Sequence, residues 1–533
     1  MSLQAAQRPD PASRAPSSRS PLSAIRSWAA VAAACSLALG LLLGCTSEPE
    51  SEPPQFRPTL VWGDCPDDVE TTFLTAHECG TLTVLADRAK PTGGTLRLLV
   101  AKVPPPAGVT APGLGTSFGP NFGDAEIMSG AMASGAARMG RTTLQVEWRG
   151  SGPHNSTSLA CPEVAPLGVR AAGVPHDDRG VRDAFVAAVA ACAARLRSSG
   201  IDPADYTVTA MAADVEDLRV AAKVDHWEMA GSYGTQSAVL FEYLRSHPGR
   251  VRAAYLDSPT FTSPAGFHGG AAALQQGLAG LFRACEQSPP CGAANPDLEG
   301  LWTQALNRTA ITPLRGTATV EGQDVAVVVD APKLVRAARF ALGGEGGPLT
   351  ALPRIIREAA QGRLAPELAQ TVATDPIYCS GYRPLCHDAR FSLGHYLTNH
   401  CGAAPLTGLQ AAEATHGSDT SNPAYPAAFD DSPYTPACAA WGVHPDRADP
   451  TTANADIPLL LLSGGLDAFS PPTNTRTAAN GLGPQAHVLE IPGGTHNVLG
   501  FSECALTARN DWARHPTQPP ADACAGEPTI AFR

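Results

Sequence analysis

Lysine and arginine nowhere gather into a run in this chain, and charged residues make up only 17% of it. With a formal net charge of −12 over 533 residues, the missing basic patch argues against a nucleic-acid surface. Metal-type cysteine spacing is missing too. No C-x-x-C pair occurs and no histidine stands at ligand spacing from a cysteine pair, so the sequence calls for no metal. There is no internal repeat, which sets aside repeat architectures. The N-terminal apolar run, "WAAVAAACSLALGLLLGC" at 28–45, falls short of the ~20 apolar residues that cross a bilayer. What remains is a globular composition with 44% hydrophobic residues, long enough to bury a large core.

The short apolar run has a different reading. Arg8, Arg14, Arg19 and Arg26 precede it as a basic leader, which fits a signal peptide. Its end, Leu42-Leu43-Gly44-Cys45, resembles the bacterial lipobox, in which the cysteine is acylated and becomes the new N-terminus. The polar "TSEPESEPP" that follows suits a tether. The expectation is a lipoprotein signal over 1–45, lipidation at Cys45 and a tether over 46–58, with the chain exported and held to the bacterial envelope membrane; a plain secretory signal, with the chain secreted, or a short membrane anchor is the alternative. Loss of residues 1–44 removes four Arg and one Asp, which takes the charge to −15. Twelve cysteines follow Cys45, an even number that reads as disulfides in an exported chain. Sequons at Asn155 and Asn307 carry little weight in such a protein.

Past the tether, strand-like and helix-like stretches alternate, the pattern of an α/β sheet. "TLRLLVAKV" (95–103) and "TTLQVEWRG" (142–150) read as strands. "VRDAFVAAVAACAARLRSSG" reads as a helix that puts Phe185, Val189, Cys192 and Leu196 on one face and stops at Gly200. Another helix lies in "DVEDLRVAAKV", with Val215, Leu218 and Ala222 on one face. Then come a short strand in "HWEMAG", a turn around Ser232, a helix from Thr235 to about Ser246, and the strand "VRAAYLDSP". From about 263 to 449 apolar helical runs alternate with Pro/Gly-rich loops and six cysteines, before strands resume at "DIPLLLLSGGLD" and "QAHVLEIPGG". A helical, disulfide-braced block is thus expected between two strands of one sheet.

Ser232 stands in "AGSYGT", between a short apolar strand and an amphipathic helix. An ordinary glycine-rich turn would explain it, and so would a nucleophile elbow, the turn that exposes a catalytic hydroxyl. A serine nucleophile needs a base, usually His, held in turn by a carboxylate. On sheets of this kind the order along the chain is Ser, Asp or Glu, then His. Asp467 ends the apolar strand "IPLLLLSGGLD", and His496 follows the next strand in "LEIPGGTHNVL". Any one of these alone is weak. Three in this order, each at the C-terminal end of a strand, favour the elbow.

"DVEDLRVAAKVDHWEMAGSYGT", "LLLLSGGLDAFSPP" and "GGTHNVLG" together resemble the secreted tripeptidyl aminopeptidase-like group of α/β-hydrolases, relatives of proline iminopeptidases. The resemblance implies Ser232 as nucleophile, Asp467 as orienting acid and His496 as general base, with no cofactor. It also implies core segments at 59–262 and 450–533, with 263–449 as a cap over the active site. The oxyanion hole would use the backbone N–H of Tyr233 and one from Gly119. Three positions depart from the group's pattern. Ala230 stands where the elbow motif begins with glycine. The "GGPG" loop survives only as Phe118-Gly119-Pro120-Asn121. The usual D-x-R-G-x-G reads Glu147-Trp148-Arg149-Gly150-Ser151-Gly152, where Arg149 is expected in a buried ion pair rather than in catalysis.

Short separations suggest the disulfides Cys65–Cys79, Cys161–Cys192, Cys285–Cys291 and Cys504–Cys524. For the cap, the resemblance of "IYC" and "CAAW" to the group's paired cysteines suggests Cys379–Cys438 and Cys386–Cys401. The function so implied is an exported serine aminopeptidase acting on peptides with a free N-terminus. A carboxylesterase and an inactive binding homologue are the rivals. The substrate ammonium would need a carboxylate partner, for which Glu345, Asp430 and Asp431 of the cap are the candidates.

Overall fold

The computed structural model describes residues 56–66, 78–103, 114–117, 142–152, 154–259, 270–320, 322–343, 349–374, 392–402, 422–429, 434–445, 456–521, 524–525, 530 and 532. All of them belong to the compact unit Pro53–Arg533. The strands are β1 (Thr59–Gly63), β2 (Glu78–Leu85), β3 (Thr95–Val103), β4 (Leu114–Ser117), β5 (Thr142–Val146), β6 (Trp227–Gly231), β7 (Val251–Asp257), β8 (Leu314–Val320), β9 (Gln323–Val329), β10 (Leu459–Gly464) and β11 (Ala486–Ile491). Nine of them form one sheet in the order β1-β2-β3-β5-β4-β6-β7-β10-β11. β1, β2, β3 and β5 pair antiparallel, and every pairing from β5–β4 onward to β10–β11 is parallel.

Parallel strands must be covered on both faces, and β10 shows how the sequence meets that need. All six of its residues are buried. Leu459 and Leu461 point into one hydrophobic core while Leu460 and Leu462 point into another across the sheet. The first core is filled by the helices Arg179–Ser198, Val208–Ala221 and Thr235–Ser246. In Arg179–Ser198 the buried face carries Phe185, Val189, Cys192 and Leu196, as its spacing predicts, and Asp178 caps the N-terminus by accepting the Val181 N–H. The second core lies under the helix Glu503–Arg514, which puts Ala505, Ala508 and Trp512 against the sheet.

Between β7 and β10 the described residues form helices and a two-stranded sheet, the antiparallel hairpin β8–β9, which the sequence reading passed over. This inserted stretch divides in two. Its helices Gly270–Gln287, Leu298–Ile311, Ala331–Leu342, Leu352–Ala360 and Pro366–Ala373 share a core of their own with the hairpin and with Leu466 and Ala468. The helices Leu393–Cys401 and Tyr434–Trp441 pack instead into the core of Arg179–Ser198.

Five disulfides join described residues. Cys65–Cys79, Cys161–Cys192, Cys285–Cys291 and Cys504–Cys524 match the expectation from short separation. The fifth is a correction. Cys401 bonds to Cys438 with 5.4 Å between their Cα atoms, so neither Cys386–Cys401 nor Cys379–Cys438 forms. The reason is packing: the helices carrying Cys401 and Cys438 lie together on one core. Cys379 and Cys386 lie outside the described residues, as do Cys45, Gly119, Glu345, Asp430 and Asp431.

Candidate active site

β6 ends at Gly231, Ser232 follows directly, and the helix Thr235–Ser246 starts three residues later. The chain therefore turns from strand to helix over Ser232–Gly234. Ala230, despite its methyl group, continues the strand, pairing with Ser117 on one side and Tyr255 on the other. In the elbow anticipated from sequence, the strained backbone belongs to the nucleophile. Here the positive φ falls on Gly234 (φ 63°, ψ −130°), and Ser232 is not among the described non-glycine residues with positive φ. Glycine lacks the Cβ that makes this conformation costly. The turn is then locked from inside the helix: Ser232 N–H donates to Gln236 Oε1 at 2.7 Å, and Ser237 Oγ donates to the Ser232 carbonyl.

Asp467 stands three residues past β10 and His496 five past β11. The glycine pair before Asp467 lets these two loops touch. A Cβ on Gly464 would lie 2.3 Å from the Thr495 carbonyl oxygen, and one on Gly465 would lie 2.4 Å from that of Pro492. The backbones are bonded there as well, Gly465 N–H to Ile491 O at 2.8 Å and Leu466 N–H to Gly494 O at 2.9 Å. Asp467 Oδ2 thus comes to 2.9 Å from His496 Nδ1. The other carboxylate oxygen accepts from the N–H groups of Phe469 (2.7 Å) and Ser470 (2.9 Å). Binding Nδ1 to a carboxylate fixes the tautomer in which Nε2 can accept a proton. The imidazole lies against two rings, Tyr233 with centroids 4.3 Å apart and Phe469 at 5.0 Å, both tilted to it. Since Tyr233 is the neighbour of Ser232, the three residues singled out in sequence converge on one place. Ser232, Asp467 and His496 are 3%, 1% and 3% exposed.

Arg149 is buried and takes no part in this cluster. Its Nε and Nη2 hold Asp214 Oδ2 and Oδ1 at 2.7 and 2.6 Å, in a forked ion pair as expected.

Two further residues at the site went unrecognised in sequence. Asp257, the last residue of β7, is fully buried. It accepts the N–H groups of Val498 (3.0 Å) and Leu499 (2.9 Å), just beyond His496, and the Ser258 hydroxyl at 3.0 Å. Its signal was the same as for Asp467, a carboxylate closing an apolar strand. Arg339, from the helix Ala331–Leu342 of the inserted stretch, lies with its guanidinium 4.0 Å over the Phe469 ring, and its Nε donates to the Ala468 carbonyl at 3.4 Å. Burial pushes this guanidinium down to about 10 against the opposing pull of the Asp467 charge.

The last strands of the sheet, with an acid after β10 and a histidine after β11, carry the part of the chain that similarity also picks out. Residues 423–524 match the family model described as TAP-like protein. With this match and the strand order above, the fold is that of an α/β-hydrolase. Similar solved structures include a proline iminopeptidase-related protein from Thermus thermophilus, 16% identical, with 83% of this chain and 100% of that one covered at a TM-score of 0.36. A proline iminopeptidase from Mycobacterium smegmatis is 11% identical over 82% of this chain and 98% of that one, with a TM-score of 0.36. A thermophilic esterase from Thermogutta terrifontis is 13% identical over 82% and 99%, with a TM-score of 0.35. No curated protein matches the chain.

Proposed function

We propose that this α/β-hydrolase is a serine hydrolase, and within that class an aminopeptidase that releases short N-terminal peptides. The observation that carries the reading is the 2.9 Å bond between His496 Nδ1 and Asp467 Oδ2, with His496 packed on the residue next to Ser232. Ser232 Oγ attacks the scissile carbonyl while His496 Nε2 takes its proton, and Asp467 holds the imidazolium that forms. The oxyanion is met by the Tyr233 N–H and one from Gly119. His496 then gives the proton to the leaving amine, and a water activated by the same nitrogen frees the acyl group. The inserted stretch, 263–449, is the cap that shapes the substrate site. The chain works outside the cytoplasm, anchored through a lipid on Cys45. The five disulfides among the described residues support an oxidising compartment.

One observation favours a carboxylesterase as the second reading. An aminopeptidase must receive an ammonium, yet the inserted stretch brings the cation of Arg339 to the Asp467 loop. A fluorophosphonate probe and a substrate panel decide the matter. Wild type labels and Ser232→Ala does not; labelling of the alanine variant at the wild-type rate places the nucleophile elsewhere. For an aminopeptidase, N-acetylation of a good peptide lowers kcat/KM more than about tenfold, since stranding the carboxylate that paired the amine costs at least ~1.4 kcal/mol. Equal cleavage of blocked and free peptides, or cleavage of esters alone, selects the esterase.

A further inference from the structure

His496 is held from one side by Asp467. The segment that follows it is held by the tip of β7. Three consecutive backbone N–H groups after His496 end on two side chains at that strand's tip: Asn497 on Ser258 Oγ (2.9 Å), Val498 on Asp257 Oδ1 (3.0 Å) and Leu499 on Asp257 Oδ2 (2.9 Å). The bend needed to aim them there is sharp. Both Asn497 and Ser258 adopt left-handed backbone conformations, φ 63° and 50°, which non-glycine residues hold only where the surroundings over-determine them. The same tip reaches the acid loop, because Ser470 Oγ donates to the Ser258 carbonyl at 3.2 Å while Ser470 N–H donates to Asp467.

We propose that Asp257 is a positioning residue for the general base, a second buried carboxylate that fixes the segment after His496 and supports its positive charge alongside Asp467. The inference rests on the triad reading above. The hydrogen-bond partners of the Asp257 carboxylate among the described residues are donors, which suits an anion. Burial raises the Asp257 carboxyl, and the Leu499 N–H, the Ser258 hydroxyl, the His496 charge and the Val498 N–H pull against it; His496 is the titratable group among them. An anion buried here is costly, and a strand end with only a structural task could close on a neutral side chain.

Asp257→Asn tests this, because it keeps the shape and removes the charge. The expected result is a kcat at least roughly tenfold lower with KM within about twofold, which is a loss confined to the transition state. The acid limb of kcat/KM moves to lower pH by roughly half a unit, since imidazolium loses a neighbouring anion. Both carboxylate oxygens accept hydrogen bonds, so the amide NH2 meets a donor; kcat and the acid limb, not the thermal midpoint, carry the test. An unchanged kcat, or an unmoved acid limb, overturns the proposal and leaves Asp257 a structural cap. Should Asp257→Asn not fold, Ser258→Ala carries the test: it removes the Asn497 acceptor without changing charge, kcat falls, and a wild-type kcat overturns the anchoring. Ser232→Ala is measured in parallel, since activity surviving in it would sink the triad and not the role of Asp257 alone.

Discussion

Replacing Arg149 by Met removes one guanidinium and with it five hydrogen bonds in a fully buried place. Two go to Asp214, one each to the carbonyls of Leu85 (3.0 Å), Ala86 (3.0 Å) and Asp205 (2.6 Å). The side chain therefore ties the end of β2 to the helix Val208–Ala221 and to the turn before it. Breaking a buried ion pair costs about 3–5 kcal/mol. Arg88 also binds Asp214, so the stranded carboxylate keeps a partner and the lower figure, about 3 kcal/mol, applies. Three orphaned carbonyls add about 1 kcal/mol each. The sum, roughly 6 kcal/mol, rivals the whole stability of many domains. Urea unfolding followed by tryptophan fluorescence, with the disulfides intact, measures it. The double variant Arg149→Met/Asp214→Leu should recover part of the loss, because no carboxylate is then stranded. Folded Arg149→Met should label with fluorophosphonate at the wild-type rate. A stability loss below about 1.5 kcal/mol would refute the reasoning, and so would a folded variant that no longer labels.

Asp467→Asn should keep its loop, since the amide oxygen can still accept from Phe469 and Ser470, but it presents the wrong partner to Nδ1. We expect kcat to fall about 10⁴-fold, near 5 kcal/mol, with little change in thermal midpoint; a fall under tenfold counts against Asp467 as the acid. Non-reducing peptide mapping should join Cys401 to Cys438, and Cys438→Ser should cost about 4 kcal/mol by the chain-entropy model for a separation of 37 residues. A Cys386–Cys401 peptide would contradict the structure. Burial raises Asp257 from 3.8 to about 6. The folded carboxyl then holds its proton more tightly than the unfolded one, so stability is full below pH ~4 and falls as pH rises to ~6, by about 3 kcal/mol. Asp257→Asn should flatten that part of the pH–stability curve; an identical curve in the variant would remove the basis for the shift.

What could be read in advance follows from how local each signal is. β10 announces itself through four consecutive leucines, and Asp467 and His496 through their places just beyond apolar strands, because a parallel sheet presents its strand ends at one edge. The helix face of Phe185, Val189, Cys192 and Leu196 is likewise a matter of 3.6-residue spacing. Arg339 is the opposite case. In "KLVRAARF" its spacing from Arg336 suggests a solvated stripe, yet both are buried, and Arg339 lies against the rings of Phe429 and Phe469, which are distant in sequence. The Cys401–Cys438 bond depends on which helices settle against Arg179–Ser198, and no run of neighbouring residues encodes that. The hairpin β8–β9 was hidden among helical runs. Asp257 was passed over because the partners that tie it to the site are the backbone N–H groups of Val498 and Leu499, which have no letter in a sequence.

The helix Gly270–Gln287 meets the acid loop at two glycines. A Cβ on Gly277 would come 2.9 Å from the Leu466 carbonyl oxygen, and one on Gly280 would come 2.5 Å from Leu466 Cδ2. With Arg339 gripping Ala468 and Phe469, the Asp467 loop is shared between the sheet and the inserted stretch. Chimeras made by exchanging that stretch with one from a relative would then sever the loop from the supports that the stretch supplies. A graft should work only when residues 464–470 travel with the helices. Conversely, the chain's own insert could drift in sequence over its outer surface with little penalty, while the line from Gly277 through Leu466 to Arg339 would have to change in concert or not at all.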